Sequence, residues 1–244
     1  MKSVTRLTIV QMKLFLREPA AFFFTLVFPA LLLVLYGAIW GNEPAFGTPF
    51  GYIDFQLPAL AGIVIGTVAF MSIPVATATA REQKILRRYK ATPLHPLAYI
   101  AAEVAVYFLL SLGSMILLVI VGRLLFGLRF DGNILLVLVG FALSALAFIA
   151  TGYLVASLAP TSRVAQVVGN VVYFPMLFLS GATLPQDIMP EGIRRLSEWL
   201  PMTHLVRLMQ DLWLGEGWSW SAAAILAGML VIGTVVAART FRWE

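Results

Sequence analysis

The feature that most constrains this chain is a series of long apolar runs. From Ile134 to Leu158 the sequence passes without a single charged side chain, far enough at ~1.5 Å per residue to cross a ~30 Å hydrocarbon core as a helix. Five further runs lie at about 20–40, 57–80, 97–122, 164–184 and 221–238. In hydrocarbon, each segment has to satisfy its own backbone N–H and C=O groups, so runs of this length dictate helices. Charged residues make up 12% of the chain, where a soluble domain carries about 25%. The expected fold is therefore an all-α integral membrane protein with six transmembrane helices, forming a single domain over 1–244. The first run is too long for a signal-peptide core and is followed by no small-residue cleavage pattern, so it is expected to remain as a span. The chain has no cysteine, which excludes disulfides, thiolate catalysis and cysteine metal sites.

Charge is distributed unevenly between the two ends of this bundle. With six spans, Lys2, Arg6, Lys13, Arg17, Arg81, Lys84, Arg87, Arg88, Lys90, Arg163, Arg239 and Arg242 share one side, twelve of the 17 basic residues. That bias predicts a cytoplasmic (inner) membrane protein with both termini in the cytoplasm. It also explains the net charge of +5 without nucleic acid. Residues 2–17 place Lys2, Arg6, Lys13 and Arg17 on one helical face and Val4, Leu7, Val10 and Leu14 on another, the pattern of an interfacial helix on membrane lipids. Between the second and third runs, Ile85, Leu86 and Tyr89 fall on one helical face and Arg81, Lys84 and Arg88 on another. Pro93 and Pro96 stop this helix, expected over 81–92. It reads either as a basic loop held at headgroups or as a docking surface for a cytoplasmic partner.

Several polar residues fall inside the runs. Glu103 lies in the third, a functional-site candidate by default. Its plainer role is to snorkel to the headgroups or to pair with a basic residue of the adjacent loop. Gln166, Asn170 and Tyr173 share a face of the fifth run. They serve as interhelical hydrogen bonds or line a substrate path. The fourth run pairs small residues four apart at Gly140 and Ser144, Ala147 and Thr151, and Gly152 and Ala156, spacing that lets helices pack closely within a subunit or between copies. Pro29 and Pro74 interrupt the first two runs. Each is expected to kink its helix, which membrane helices tolerate when a neighbour covers the freed carbonyl. Residues 185–216 carry too many charges for a seventh span and read as an extracytoplasmic re-entrant pair of amphipathic helices, split at Pro201.

Chemistry outside transport finds little support. No G-x-x-x-x-G-K-[ST] occurs, so the chain has no phosphate-cradling loop of its own. His95 and His204 fall on opposite sides of the membrane and share no metal. Ser180-Gly181 with the later His204 faintly resembles the rhomboid intramembrane proteases, a six-span serine hydrolase being the alternative reading. Phe178 stands where that family has its first glycine.

The order of features resembles the ABC-2 family of membrane permeases. The resemblance rests on Leu16-Arg17-Glu18-Pro19 and Phe28-Pro29, then Arg81-Glu82-Gln83-Lys84 running into Ala91-Thr92-Pro93-Leu94-His95-Pro96. It continues in Phe178-Leu179-Ser180-Gly181-Ala182-Thr183-Leu184-Pro185 and Leu200-Pro201. It implies the permease subunit of an ATP-driven exporter, paired with a second permease copy or close relative and with two separate ABC ATPase subunits. ATP and Mg would belong to those partners, with no cofactor on this chain. It makes Arg81, Glu82, Lys84, Ile85, Leu86, Arg87, Arg88, Tyr89, Thr92 and Pro93 the candidate coupling residues. Ser180, Leu184, Pro185, Leu200 and Pro201 become candidates for the exit of the path.

Overall fold

In the computed structural model, residues 2–15, 17, 19–44, 48–85, 96–184, 186 and 189–240 are described. Among them there is no strand, and six helices are long and apolar enough to cross a membrane. An N-terminal helix, Lys2–Phe15, lies along the third span and buries Phe15 beside Val106 and Tyr107. Val10 and Leu14, which the sequence places on its apolar face, stay open on the outside of the bundle. The first span runs from Pro19 to Trp40 and the second from Tyr52 to Glu82. The third is Pro96–Phe126, the fourth Ile134–Leu158, the fifth Ser162–Leu179 and the last Trp220–Thr240. Two shorter helices, Glu191–Ser197 and Pro201–Leu214, precede the last span. The second span starts five residues before the sequence-based boundary because Asp54, in its first turn, reaches back to the Gly51 N–H (2.8 Å). The fifth stops at Leu179, short of the expected 184, and Gly181 follows with φ +91.

The second span is the central column. Of its most apolar stretch 78% is buried, against 22–44% for the other five. It touches the first, third, fourth and fifth spans, and the Pro201–Leu214 helix packs on its start. The last span lies against the fourth. Before each of the prolines Pro29 and Pro74 the turn is widened into a π-helix, at Phe23–Val27 and Thr67–Ser72. A proline offers no N–H to the carbonyl four residues back, and its ring crowds that carbonyl. For Pro29 this carbonyl belongs to Thr25, and Ser114 of the third span donates to it at 2.7 Å. For Pro74 it belongs to Phe70, on which Gly169 of the fifth span is seated. A β-carbon on Gly169 would fall 2.0 Å from the Phe70 oxygen, and one on Gly152 would fall 2.3 Å from the Ala69 oxygen. Tyr173 completes this turn, donating to the Ile63 carbonyl (3.1 Å) and accepting from Thr67 Oγ1 (2.9 Å).

The small residues of the fourth span are thus used within the chain. Gly152 rests on the second span and Gly140 on Leu208 and Leu212 of the Pro201–Leu214 helix. Of the two uses open to that pattern, packing inside the subunit is the one observed.

Candidate functional site

At the end of the bundle that carries the termini, Arg81 and Glu82 form a clamp. They are the last helical residues of the second span. The Arg81 guanidinium donates to the carbonyls of Ala159 and Ala156, where the fourth span ends. The Glu82 carboxylate accepts from the Ser162 N–H and hydroxyl, both at 2.9 Å, where the fifth span begins. A cation thus sits at the negative end of one helix and an anion at the positive end of the next. Thr161 adds its own N-cap bond to Val164 N (3.2 Å). The expected helix beginning at Arg81 differs here, because the second span absorbs Arg81 and Glu82. Lys84, at φ +57, then turns the chain sharply away. Lys84 is exposed and Ile85 half-buried. Leu86, Arg87, Arg88, Tyr89, Thr92 and Pro93 lie outside the described residues.

The intramembrane candidates separate. Among the described residues, Glu103 neither snorkels nor meets a basic side chain. It is buried, accepting from Tyr99 one turn back (2.5 Å) and from Tyr153 of the fourth span (3.0 Å). Tyr173 is an interhelical bond to the second span, as above, while Gln166 is exposed and Asn170 half-buried. Neither joins Glu103, so the polar residues form no continuous relay among the described residues.

The far end of the bundle is closed by a polar cap that the sequence does not announce. Asp54 is fully buried there and accepts from Gly51 N, from Arg129 N (2.8 Å) and from Asn42 Nδ2 (3.0 Å). Asn42 also binds Ile53 N and the Phe126 carbonyl, and Arg129 reaches the Pro49 carbonyl (2.7 Å). Trp213 donates to the Arg129 carbonyl (3.0 Å), tying the Pro201–Leu214 helix to the same hub. One side chain thereby fixes the connections between the first and second spans and between the third and fourth. The only signal for it in the sequence is an acid three residues after a glycine at a helix start.

Beside this hub the chain from Ser180 to Gln186 dips back against the second span. Its carbonyls are claimed by side chains: Ala182 by the buried Gln56 (2.7 Å), Thr183 by the buried Tyr36 (3.1 Å) and Ser180 by the half-buried Gln186 (3.1 Å). Ser180 Oγ accepts from Ala182 N, and His204 Nε2 meets the Glu198 carbonyl (2.9 Å). The two are engaged separately, so no nucleophile–base pair forms and the serine hydrolase alternative is not favoured. Leu184 is exposed and Leu200 caps the start of the Pro201–Leu214 helix; Pro185 lies outside the described residues. Between this segment, the start of the second span and the Pro201–Leu214 helix opens a cleft of about 430 Å³. Burial and the nearby Glu216 push the Asp211 carboxyl on its wall above the ordinary carboxylate range. A second, almost wholly apolar cavity of about 260 Å³ lies between the third, fourth and last spans, with Tyr153 at its edge.

Comparison with known proteins agrees with this architecture. A family model described as ABC-2 type transporter matches residues 3–214. Nodulation protein J of Rhizobium leguminosarum bv. viciae is 36% identical over 75 residues, 31% of this chain and 29% of that protein. The daunorubicin resistance ABC transporter permease protein DrrB1 of Streptomyces coeruleorubidus is 23% identical over 222 residues, 88% of this chain and 77% of the relative. The probable multidrug ABC transporter permease YbhS of Escherichia coli (strain K12) is 22% identical over 176 residues, covering 72% and 45%. The chain therefore spans less than half the length of two of these three relatives. The six spans and the match across most of the sequence lead to one conclusion: this multi-pass membrane protein belongs to the ABC-2 type transporter family of permeases.

Proposed function

We propose that this chain is the permease subunit of an ATP-driven exporter that moves an apolar or amphipathic molecule, such as a drug, antibiotic or lipid, across the cytoplasmic membrane. The observation that carries the reading is the family match over residues 3–214. Two relatives whose names refer to drug resistance and multidrug transport support the substrate class. ABC ATPase subunits supply ATP and Mg, and a second permease copy or close relative completes the membrane unit. Both termini face the cytoplasm. The N-terminal helix lies among lipid headgroups, and the Glu191–Ser197 helix, with Leu196 exposed on it and Trp199 exposed just after it, does the same on the outer side.

The second span is the moving part of this mechanism. Residues 81–92 dock on the ATPase, and the Arg81–Glu82 clamp carries their displacement to the turn between the fourth and fifth spans. The π-helical turn at Thr67–Ser72 is the place where the span flexes. Its far end reaches the cleft beside Gln56, so ATP-driven closure at one end biases the shape of the other. The test is co-purification with an ABC ATPase subunit, followed by Arg87→Glu/Arg88→Glu. Transport and ATPase stimulation should both fall while membrane insertion holds. If losses instead follow anionic lipid content with the complex intact, the loop serves headgroups and the docking role is wrong.

A further inference from the structure

The far-end cleft has an unusual division of hydrogen-bonding roles. Gln56, Gln186 and Gln210 all line it, and each gives its amide N–H to a backbone carbonyl: Ala182, Ser180 and Phe55 respectively. Gln186 also donates to Ser197 Oγ (3.3 Å). Gln186 has thereby spent both amide hydrogens and keeps only its accepting carbonyl oxygen, while Gln56 and Gln210 each keep that oxygen and one further N–H. Gln56 is 2% exposed, so its orientation is set by packing as well as by its 2.7 Å bond. Asp211 and Glu216 add two carboxylates to the same lining, and among the described residues neither is in an ion pair. Arg207, one turn before Asp211, acts on it from outside the lining. Tyr52 contributes an aromatic wall, backed by the ring of Trp40 stacked on it at 4.8 Å.

Five acceptors, two of them charged, beside an aromatic face are the chemistry that recognises an organic ammonium. The negative charge of the two carboxylates disfavours an anion there. We propose that this cleft is a binding site for the amine or ammonium group of the transported molecule, occupied as that molecule leaves the membrane. This deepens the permease reading and rests on it: the substrate class becomes amphiphiles that carry a basic nitrogen, and anionic amphiphiles are disfavoured.

The absence of cysteine makes the test direct. Leu214→Cys places a thiol on the cleft wall without touching the acceptor set. Intact cells are treated with the cationic 2-(trimethylammonio)ethyl and the anionic 2-sulfonatoethyl methanethiosulfonates, each rate divided by that for a free thiol. The expected result is a cationic preference of about tenfold or more, as charge focusing in a cleft of one sign produces. Asp211→Asn/Glu216→Gln should collapse that preference while the anionic reagent still reacts, which shows the cleft still formed. Hexylamine should slow the modification, and hexanol at equal concentration should not. Equal normalised rates, or no protection by hexylamine, would overturn the ammonium site and leave the permease reading standing. A thiol that reacts only after the cells are opened would overturn the orientation on which both depend.

Discussion

At the scale of single residues, the closest tolerances lie where glycine meets a carbonyl of the second span. Gly169 leaves no space for a methyl group, since a β-carbon would sit 2.0 Å from the Phe70 oxygen. That oxygen lacks its usual helical partner because of Pro74, so it projects toward the fifth span. Gly169→Ala must push the two helices apart or strain the π-helical turn, at a cost of about 1–3 kcal/mol. Gly228, in the last span, has nothing within 4 Å of its own β-carbon position, and Gly228→Ala should be neutral. Thermal unfolding of the two variants in detergent checks the contrast: Gly169→Ala should lower Tm by several degrees, and equal Tm values would show that the contact yields freely. Gly169 reads in the sequence as one more small residue in an apolar run. Asp54 hides in the same way, because an acid in a connecting loop looks solvated until two connections are seen to converge on it.

At the scale of elements, the first and second spans show how a membrane helix accommodates proline. The first relies on Ser114 of the third span to satisfy the Thr25 carbonyl. Ser114→Ala leaves that oxygen without a partner in hydrocarbon, at about 1 kcal/mol by analogy with other interhelical hydrogen bonds in membranes. Pro29→Ala restores an N–H able to serve the same carbonyl. The two changes should therefore couple: Ser114→Ala should lower Tm in the native background and cost less when Pro29→Ala is already present. A double-mutant cycle measures the difference, and strict additivity would mean the serine does not serve the proline's carbonyl. The kink and the need for a covering neighbour are legible in the sequence from Pro29 alone. The identity of the neighbour is not, because Ser114 and Thr25 are far apart along the chain.

For the whole molecule, the question is which surface remains for a second copy. The small-residue face of the fourth span is occupied within the chain by Ala69, Leu208 and Leu212. The fifth span is the least buried of the six, and Val164, Val167, Val171, Phe174 and Phe178 are exposed along it. A permease dimer formed along this side should bring two copies of residue 171 together. Val171→Cys in the otherwise cysteine-free chain should yield an oxidant-dependent dimer in native membranes. Leu124→Cys, at an exposed position of the third span, should not. The reverse pattern would move the interface to the third span, and an active protein that gives no dimer at either position would make the single chain the working unit.

The sequence by itself determined the number of spans, their approximate limits, the two proline-interrupted helices and the basic end of the bundle. Each follows from a strong local rule: an uncharged run of sufficient length, a missing proline N–H, a bias of Lys and Arg. Only the tertiary structure decided that the second span is central, that Arg81 and Glu82 grip the neighbouring helices, and that Glu103 rests between two tyrosines. The physical reason lies in the solvent. In water, an apolar stripe marks the face that must be buried, so burial can be read from periodicity. In a bilayer, lipid tails are as apolar as leucine, and a span facing lipid has the same composition as one buried among its neighbours. What selects the buried faces here is the fit of glycines on carbonyls and hydroxyls on orphaned oxygens, and those partners meet only when the helices are assembled.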